Sequence, residues 1–306
     1  MGGDPARWPS LAGHLMCAAN LFGDKGFARV AQWLAGEFHR VGNADFDREF
    51  SAHVRLPGVA EGDYAHRVTT TSAGVMMGGI RFYGRDIGRP FVDVICHDFT
   101  DVAALADCAC REWRAFDVRW ARLHDLPGVR PLPGTVVDDT VFAAPCARLT
   151  APDGRVGLTA FGDAEEAVDL VTARYAALAE QDPQLARNLR AADPDDVRRW
   201  HRDNTVHAIT VDDTPVGALA VAPGEVLWID GYEIREEVIL TTHRGRHLAA
   251  SAQAAWGRLP GVDPRRLLVG TIDRLNTASR RTAARAGRSA VLESVFIPLR
   301  PSHSAQ

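Results

Sequence analysis

In the second half of the chain, the spacing of hydrophobic and polar residues alternates between the period of a strand and the period of a helix. Residues 206–210 alternate with period two, which is typical of a half-buried strand, and residues 216–221 form a returning strand after the turn at 212–215. Residues 242–257 carry apolar positions three and four apart, which predicts an amphipathic helix. From residue 155 to 299 the order is strand, helix, helix, three strands, helix, strand, helix, strand. This order of elements predicts an α/β fold, specifically an α+β mixed sheet with helices on both faces.

The first half of the chain is less regular. Its apolar spacing predicts helices over residues 27–40 and 101–116, and strands over residues 64–71 and 78–83. Residues 91–96 form an apolar run that predicts a buried strand. We therefore expect a second α+β domain in this half.

Proline and glycine mark the boundary between the halves. Residues 126–134 contain three prolines and two glycines, and Ala151-Pro-Asp-Gly154 follows as a second break. We place the boundary near residue 150, which gives domains 1–150 and 151–306. Halves of nearly equal length suggest an internal duplication, but no residue-level self-match supports it.

Composition excludes several classes of protein. The chain has 306 residues, of which 46% are hydrophobic and 24% charged, as in soluble globular proteins. No apolar run approaches 18 residues, and the apolar stretch 8–22 is interrupted by His14, so it predicts a first helix rather than a signal peptide. Five cysteines, an odd number, favour reduced thiols. We expect a cytoplasmic protein without a membrane partner.

The charge pattern argues against nucleic acid as a partner. The formal net charge is −4, and no aromatic residues interleave with the basic ones. A basic run near the end of the chain has two interpretations, a contact to a phosphate or acidic partner and a solvated helix face. Its members are Arg265, Arg266, Arg274, Arg280, Arg281, Arg285 and Arg288.

The clearest candidate chemistry lies at residues 236–250, where a strand ends, an Arg-Gly turn follows and a helix begins. The first backbone N–H groups of a helix have no internal partners, and the helix dipole favours an anion there. Gly245 lets the backbone approach a phosphate without a Cβ in the way, and Arg244 and Arg246 add positive charge. The segment is suited to binding a pyrophosphate.

At this junction the chain resembles the GNAT acyltransferase superfamily, whose acyl-CoA motif is Arg/Gln-x-x-Gly-x-Gly/Ala. Arg244 takes the first position and Ala249 the last, while His247 stands where the family usually has glycine. The resemblance covers the C-terminal half and implies a GNAT-like central sheet flanked by helices. A tandem GNAT with a degenerate N-terminal half and an unrelated first domain are both left open.

A second motif supports the resemblance. Asn276-x-x-Ser279, followed by Gly287, resembles the family's Asn-x-x-Ala…Gly pattern after the fifth strand. The resemblance implies acetyl-CoA as co-substrate. The residues it places along the coenzyme are Val238, Ile239, Leu240, Arg244, Gly245, Arg246, His247, Leu248, Ala249, Asn276 and Ser279.

The resemblance also implies a base that deprotonates the incoming amine and an acid that protonates the departing thiolate. We favour Glu237 as the base, then Glu236, with Glu233 as a third candidate, and strand alternation places Glu233 and Glu237 on one face. Solvated strand-end charges are the alternative for each. The family's usual acid, a tyrosine seven residues after the asparagine, is replaced by Ala283, so Tyr232 or water would substitute.

His243 and His247 are four residues apart, a spacing that metal ligands use, but no His-Glu-x-x-His pattern accompanies them. We expect no metal site. Motifs of serine hydrolases, P-loop NTPases and dinucleotide-binding proteins do not occur in the sequence.

The sequence therefore predicts an N-acyltransferase (EC 2.3.1.-) that moves acetyl from acetyl-CoA to an amine of a small molecule. Attack would be direct, in a ternary complex, because no cysteine lies near the motif. A non-catalytic acyl-CoA-binding protein and an acyltransferase acting on a peptide or protein amine are the alternatives. A homodimer is left open.

Overall fold

The computed structural model describes residues 3–299, which divide into two compact units. Unit 1 takes in the described residues up to Thr140 and those from Val291 onward, and unit 2 is Val141–Ala290. The sequence analysis instead predicts a single boundary near residue 150 and assigns the last strand to the second domain, whereas most of that strand belongs to unit 1. No helix within the described range is long and apolar enough to cross a bilayer.

Unit 1 is a mixed sheet with helices on its faces. Its helices are α1 (Ala12–Phe22), α2 (Gly26–Phe38), α3 (Ala44–His53) and α4 (Val102–Glu112). Its strands are β1 (Arg67–Thr71), β2 (Gly74–Phe82), β3 (Pro90–His97), β4 (Trp120–Asp125), the start of β5 (Val136–Pro145) and most of the last strand, β11 (Ser289–Pro298). Strands β1, β2, β3, β4 and β11 are neighbours in that order. The β3–β4 pair is parallel, and the other pairs of this series are antiparallel.

Both faces of the unit 1 sheet are buried, which explains why β3 is a nearly continuous apolar run. Val94 points into the cluster that contains Trp113, just beyond the end of α4. The next residue, Ile95, points to the other face and joins the cluster of Leu34 on α2. Helices therefore cover the two faces of β3, which agrees with the buried strand predicted at residues 91–96.

Unit 2 is also a mixed sheet between helices. Its helices are α5 (Ala164–Gln181), α6 (Pro183–Ala186), α7 (Pro194–Arg202), α8 (Leu248–Trp256) and α9 (Thr277–Arg285). Its strands are β6 (Val156–Thr159), β7 (Val206–Val211), β8 (Thr214–Val226), β9 (Ile229–Ile239) and β10 (Leu267–Asp273). Strands β6 to β9 pair antiparallel in sequence order, and β9 pairs parallel with β10.

Helices α5 and α8 lie on opposite faces of this sheet. Val171 of α5 packs in the cluster of Val238, whereas Trp256 of α8 packs in the cluster of Leu219 and Leu268. The mixed sheet with helices on both faces is therefore as predicted. The predicted element order differs in one place, because the second predicted helix is divided into α6 and α7, and its last strand, β11, lies mostly in unit 1.

The loop before α8 changes one predicted boundary. Residues 242–257 were expected to be one helix, but the backbone adopts left-handed φ angles of 77° at Gly245 and 64° at His247. These angles interrupt a right-handed helix, so α8 begins only at Leu248. The residues before it form a loop, as a ligand-binding junction requires.

A β-bulge in β9 overturns the expected arrangement of the three glutamates. The pairing with β8 shifts between Ala220 and Val221, which leaves Arg235 as an extra residue in β9. Period-two alternation therefore fails across it. Glu237 bonds to Gln253 on α8, whereas Glu236 bonds to Tyr175 on α5. The prediction that Glu233 and Glu237 share a face is wrong, because one residue is inserted between them.

The two units repeat the same strand pattern. In each unit, the second strand of an antiparallel hairpin also pairs in parallel with a third strand. This parallel pairing extends over only two residue pairs, and beyond them the two strands separate. The pairs are Val92–Ala121 and Asp93–Arg122 in unit 1, and Tyr232–Leu268 and Glu233–Val269 in unit 2. Where two parallel strands separate, the backbone N–H and C=O groups that face the gap have no partner on the other strand, and the gap can hold a ligand.

Candidate functional site

A cleft of about 630 Å³ opens in unit 2 where β9 and β10 cease to pair. Its size is within the usual range for a small-molecule or cofactor site. Its walls are formed by helices α5, α6 and α9, the end of β9, and the loop and first residues of α8. The wall from α5 presents Arg174, Tyr175, Leu178 and Gln181, which are at helical spacing and so share one face.

The loop before α8 forms an open backbone surface on the cleft. No atom lies within 4 Å of the position that a Cβ on Gly245 would occupy. His247 is the N-cap of α8 but makes no capping hydrogen bond with its side chain. The first N–H groups of α8, at Leu248 and Ala249, are therefore uncapped by a side chain where they line the cleft.

The cleft is predominantly cationic. Its arginines outnumber its acids, and one of the acids, Asp182, already accepts a hydrogen bond from Leu185 N–H as a helix cap. Arg174 has a buried Nη1 atom with no hydrogen-bond partner among the described residues. Burial, followed by repulsion from Arg244, lowers the pKa of Arg174. Cationic groups without acidic partners favour an anionic ligand. The arginines are Arg174, Arg244, Arg281 and Arg285.

A carboxylate lies in the same cleft and is held by a buried chain of hydrogen bonds. Gln253 Nε2 donates to both oxygens of Glu237, each at 2.9 Å. Gln253 Oε1 in turn accepts from Arg288 Nε at 3.0 Å, and Arg288 also donates to the carbonyl of Phe142 at 3.4 Å. Gln253 and Arg288 are buried, at 0% and 4% exposure. The carboxylate is therefore fixed from the side that faces the core.

Burial raises the pKa of Glu237 to about 7, although the hydrogen bond from Gln253 and the charge of Arg288 oppose the rise. Burial likewise lowers the pKa of Arg288 to about 10. A carboxyl group that titrates near neutral pH can take up a proton and release it again, which is what a general base requires.

The other predicted catalytic residues lie outside the cleft lining. Glu236 is buried and accepts hydrogen bonds from Tyr175 OH and from Ala192 N–H, so it joins α5 and a loop to β9. Glu233 forms an ion pair with Arg235.

Tyr232 is held elsewhere too. Its hydroxyl accepts from Asp263 N–H, and its ring lies edge-on to Trp256. It does not line the cleft. Ala283, at the position where the family's tyrosine would stand, is completely buried against Phe142 and Ile272.

Most residues that the resemblance placed along the coenzyme do line the cleft. Leu240 and Arg246 do not: the Leu240 N–H donates to the carbonyl of Val216, and Arg246 is exposed to solvent away from the lining. The lining members are Val238, Ile239, Arg244, Gly245, His247, Leu248, Ala249, Asn276 and Ser279.

Asn276 also has a local role. Its side chain caps α9 by accepting a hydrogen bond from Ser279 N–H at 3.1 Å.

Two cleft-related residues were not found by sequence reasoning: Gln253 lies in the middle of α8, and Arg174 lies on α5. Arg288 was noted only as a member of the basic run, whereas the structure buries it against Gln253. No spacing rule links positions so far apart in the chain. Arg281 and Arg285 of the basic run do line the cleft, so for these two the run is more than a solvated face.

No metal-binding group appears in the described part of the chain, where no three His, Cys, Asp or Glu side chains gather. His243 Nδ1 instead lies 2.9 Å from the hydroxyl of its neighbour Thr242.

Comparison with known proteins gives matches of structure alone. No family model matches the chain, and no curated protein matches it. Among solved structures, the chain is similar to a GCN5-related N-acetyltransferase from Sphaerobacter thermophilus. That match has 14% identity, covers 97% of this chain and 94% of the other, and has a TM-score of 0.49.

Two further structural neighbours extend over most of the chain. One is a tandem GNAT protein from the clavulanic acid biosynthesis pathway, with 16% identity, coverage of 90% and 96%, and a TM-score of 0.43. The other is a GCN5-related N-acetyltransferase from Kribbella flavida, with 17% identity, coverage of 85% and 96%, and a TM-score of 0.42.

Proposed function

We propose that unit 2 is an acyl-CoA-dependent N-acyltransferase that transfers an acyl group, acetyl as the simplest case, to an amine of a small molecule. One observation carries the proposal. Glu237, a carboxyl group with a pKa of about 7, lies in the same cleft as a cationic loop and an uncapped helix start. The cleft therefore combines a base with a binding site for phosphate groups.

The residues of the cleft fit a coenzyme with phosphate groups. Gly245 leaves open space where any other residue would project a Cβ, and the backbone of Leu248 and Ala249 supplies N–H donors. Arg244 and Arg174 supply positive charge, and Arg174 Nη1 needs a hydrogen-bond acceptor. The coenzyme would supply an acyl group activated as a thioester.

Glu237 would act on the acceptor. It accepts the proton that the amine loses as the new N–C bond forms and the C–S bond of the thioester breaks. The protonated Glu237 can then return this proton toward the departing sulfur. None of the described residues that line the cleft is a cysteine, which supports direct transfer to the amine over an acyl-cysteine route.

Gln253 and Arg288 would be positioning residues. They hold the Glu237 carboxylate at a fixed place, and they limit how far burial raises its pKa. Without them, burial would leave Glu237 protonated at neutral pH and unable to accept a proton.

The test is release of free thiol from acetyl-CoA in the presence of a panel of small amines, followed with a thiol reagent. We expect Glu237→Gln to lower kcat/KM by about 10²- to 10⁴-fold, the usual contribution of a general base. Acetyl-CoA affinity, measured by calorimetry, should stay the same. Glu233→Gln is the matched control, because Glu233 does not line the cleft, and it should leave both quantities unchanged.

Two results would count against the proposal. Equal turnover by wild type and Glu237→Gln would remove Glu237 as the base. Tight acetyl-CoA binding by wild type with no thiol release for any amine would favour a non-catalytic acyl-CoA-binding protein.

A further inference from the structure

Unit 1 holds a cleft at the place that corresponds to the unit 2 site. It measures about 230 Å³ and lies where β3 and β4 cease to pair. The register of β3 repeats that of β9: the pairing with β2 shifts between Met77 and Gly78, which leaves Ile95 as the extra residue. The bulge residue comes two positions after the last parallel pair in both units, at Ile95 and at Arg235.

This shared register gives His97 the position in unit 1 that Glu237 has in unit 2. Each residue is two positions beyond the bulge residue, and each lines the cleft of its own unit. The backbone N–H of His97 donates to Ser10 Oγ at 2.8 Å. Its ring Nδ1 is buried and has no side-chain hydrogen-bond partner within residues 3–299. Burial lowers the pKa of His97, although the charge of Asp98 and a backbone hydrogen bond at Phe99 oppose the change. Burial thus favours the neutral ring, which can accept one hydrogen bond.

The unit 1 cleft differs from the unit 2 cleft in charge. Neither arginine nor lysine is among its described lining residues, and its acidic member is Asp125. The helix that follows β3 begins after four residues, and the carboxylate of its N-cap Asp101 accepts a hydrogen bond from Ala103 N–H. A phosphate or carboxylate ligand would therefore meet negative charge at this helix start.

The polar groups of the lining indicate which ligand fits. Both ring nitrogens of His124 are already engaged, by Ser294 Oγ at 3.1 Å and by Asp93 Oδ1 at 2.9 Å. Asp125 Oδ1 accepts from Leu126 N–H, while Oδ2 has no partner in the described part of the chain. Burial raises the pKa of Asp125, which means that the carboxylate lacks a compensating cation. Apart from these residues, His97 and Ser10, the lining is apolar.

We propose that the unit 1 cleft is a second binding site, specific for a small primary amine with an apolar body. The ammonium group would pair with Asp125, the His97 ring would accept a hydrogen bond, and the apolar body would lie against β3 and β4. At 230 Å³, the cleft is below the usual range for drug-sized ligands, so the amine is small.

The test compares three probes of nearly equal size and different charge: benzylamine, benzyl alcohol and benzoate. Each is titrated into the full-length protein labelled with ¹⁵N-histidine, and the imidazole nitrogen resonance of His97 is followed. We expect benzylamine to bind about tenfold more tightly than benzyl alcohol, because a partly buried ion pair raises affinity by about a factor of ten. Benzoate should bind more weakly than either. The imidazole nitrogen resonances of His97 should shift when benzylamine binds.

Two variants locate the binding. Asp125→Asn should reduce benzylamine affinity to that of benzyl alcohol. Val129→Trp should block all probes, because Val129 lines the cleft and is 38% exposed, so a larger side chain fills the opening without entering the core. Val68→Trp is the matched control: Val68 is similarly exposed, at 42%, and does not line the cleft, so binding should be unchanged.

Three outcomes would overturn the proposal. They are benzoate binding as tightly as benzylamine, benzylamine binding that survives Val129→Trp, and no binding of benzylamine at millimolar concentration. The second outcome would also arise if benzylamine bound in the unit 2 cleft as an acceptor. Binding there would survive Val129→Trp but would be changed by Glu237→Gln.

Discussion

Gln253 Nε2 lies 2.9 Å from each carboxylate oxygen of Glu237, and the other end of the same amide accepts a hydrogen bond from Arg288. A residue on α8 thus connects the end of β9 to the start of β11. The amide orientation is fixed, because only its nitrogen can donate to a carboxylate and only its oxygen can accept from a guanidinium. The titration of Glu237 therefore depends on two residues that lie outside the cleft lining.

The first prediction concerns the pH dependence of turnover. Because Glu237 must be ionised to act as a base, kcat/KM should rise with pH through an apparent pKa of about 7. Gln253→Met keeps the size of the side chain and removes its hydrogen bonds. Since those bonds lower the pKa of Glu237, the variant profile should shift upward by about one pH unit. The measurement is a pH series of initial rates.

Gln181→Met is the control for that shift. Gln181 accepts a hydrogen bond from Arg244 on the side of the cleft that we propose for the coenzyme, and it is not among the described hydrogen-bond partners of Glu237. Its substitution should leave the apparent pKa in place, whatever it does to KM. An unchanged profile in Gln253→Met would mean that another group controls turnover.

The second prediction links Glu237 to the stability of unit 2. Its pKa is near 4.5 in the unfolded chain and about 7 in the folded one, so the folded state binds the proton more tightly. The contribution to stability is complete below about pH 4.5 and is lost as the pH rises through 7. The loss amounts to at most about 3 kcal/mol, since each unit of pKa corresponds to about 1.4 kcal/mol.

Glu237→Gln removes this titration while keeping the hydrogen-bonding shape. The fall in the free energy of unfolding between about pH 5 and pH 8 should therefore be smaller in the variant than in wild type. Chemical denaturation at several pH values measures it. Parallel curves for the two proteins would show that Glu237 does not have a raised pKa.

The third prediction concerns a buried ionic group in unit 1. Asp93 accepts two hydrogen bonds from Arg122, at 2.9 and 3.1 Å, and one from His124 at 2.9 Å. Burial alone would raise the pKa of Asp93, but Arg122 and His124 outweigh burial and hold it well below its usual range. Asp93→Asn leaves Arg122 without its principal charge partner and should lower the free energy of unfolding by about 3–5 kcal/mol.

Urea denaturation of Asp93→Asn and of Asp107→Asn checks this expectation. Asp107 is exposed on α4, so its substitution should change stability by less than about 0.5 kcal/mol. A similar small change for both variants would show that the network around Asp93 contributes little.

Periodicity was sufficient for elements whose buried residues are apolar. It predicted β3, and it predicted β7 and β8 on either side of their turn. Strand β4 was missed because Arg122 and His124 occupy buried positions as ion-pair partners of Asp93, so the strand resembles a polar segment. Helix α3 was missed because Phe46 and Phe50 are its only large apolar residues.

The candidate site was predicted only as far as it is local in sequence. The loop around Gly245 and the base candidate Glu237 are adjacent along the chain, and the resemblance identified both. The bulge at Arg235 depends on the register with β8, which no single-strand pattern reveals. Gln253 and Arg288 reach Glu237 only through the packing of α8 on the sheet.

The most direct test of the account is a calorimetric titration of acetyl-CoA into wild type and two glycine variants. Gly245 and Gly261 both have a left-handed φ, of 77° and 90°, and both have open space at the Cβ position, but only Gly245 lines the cleft. Gly245→Asp and Gly261→Asp therefore impose the same strain and the same charge, and they differ in place alone.

We predict micromolar binding by wild type and by Gly261→Asp, and binding weaker by about a hundredfold in Gly245→Asp, because the added carboxylate repels the phosphates and occupies their space. Equal affinity in the two variants, or no binding of acetyl-CoA by wild type, would contradict the assignment of the unit 2 cleft as an acyl-CoA site.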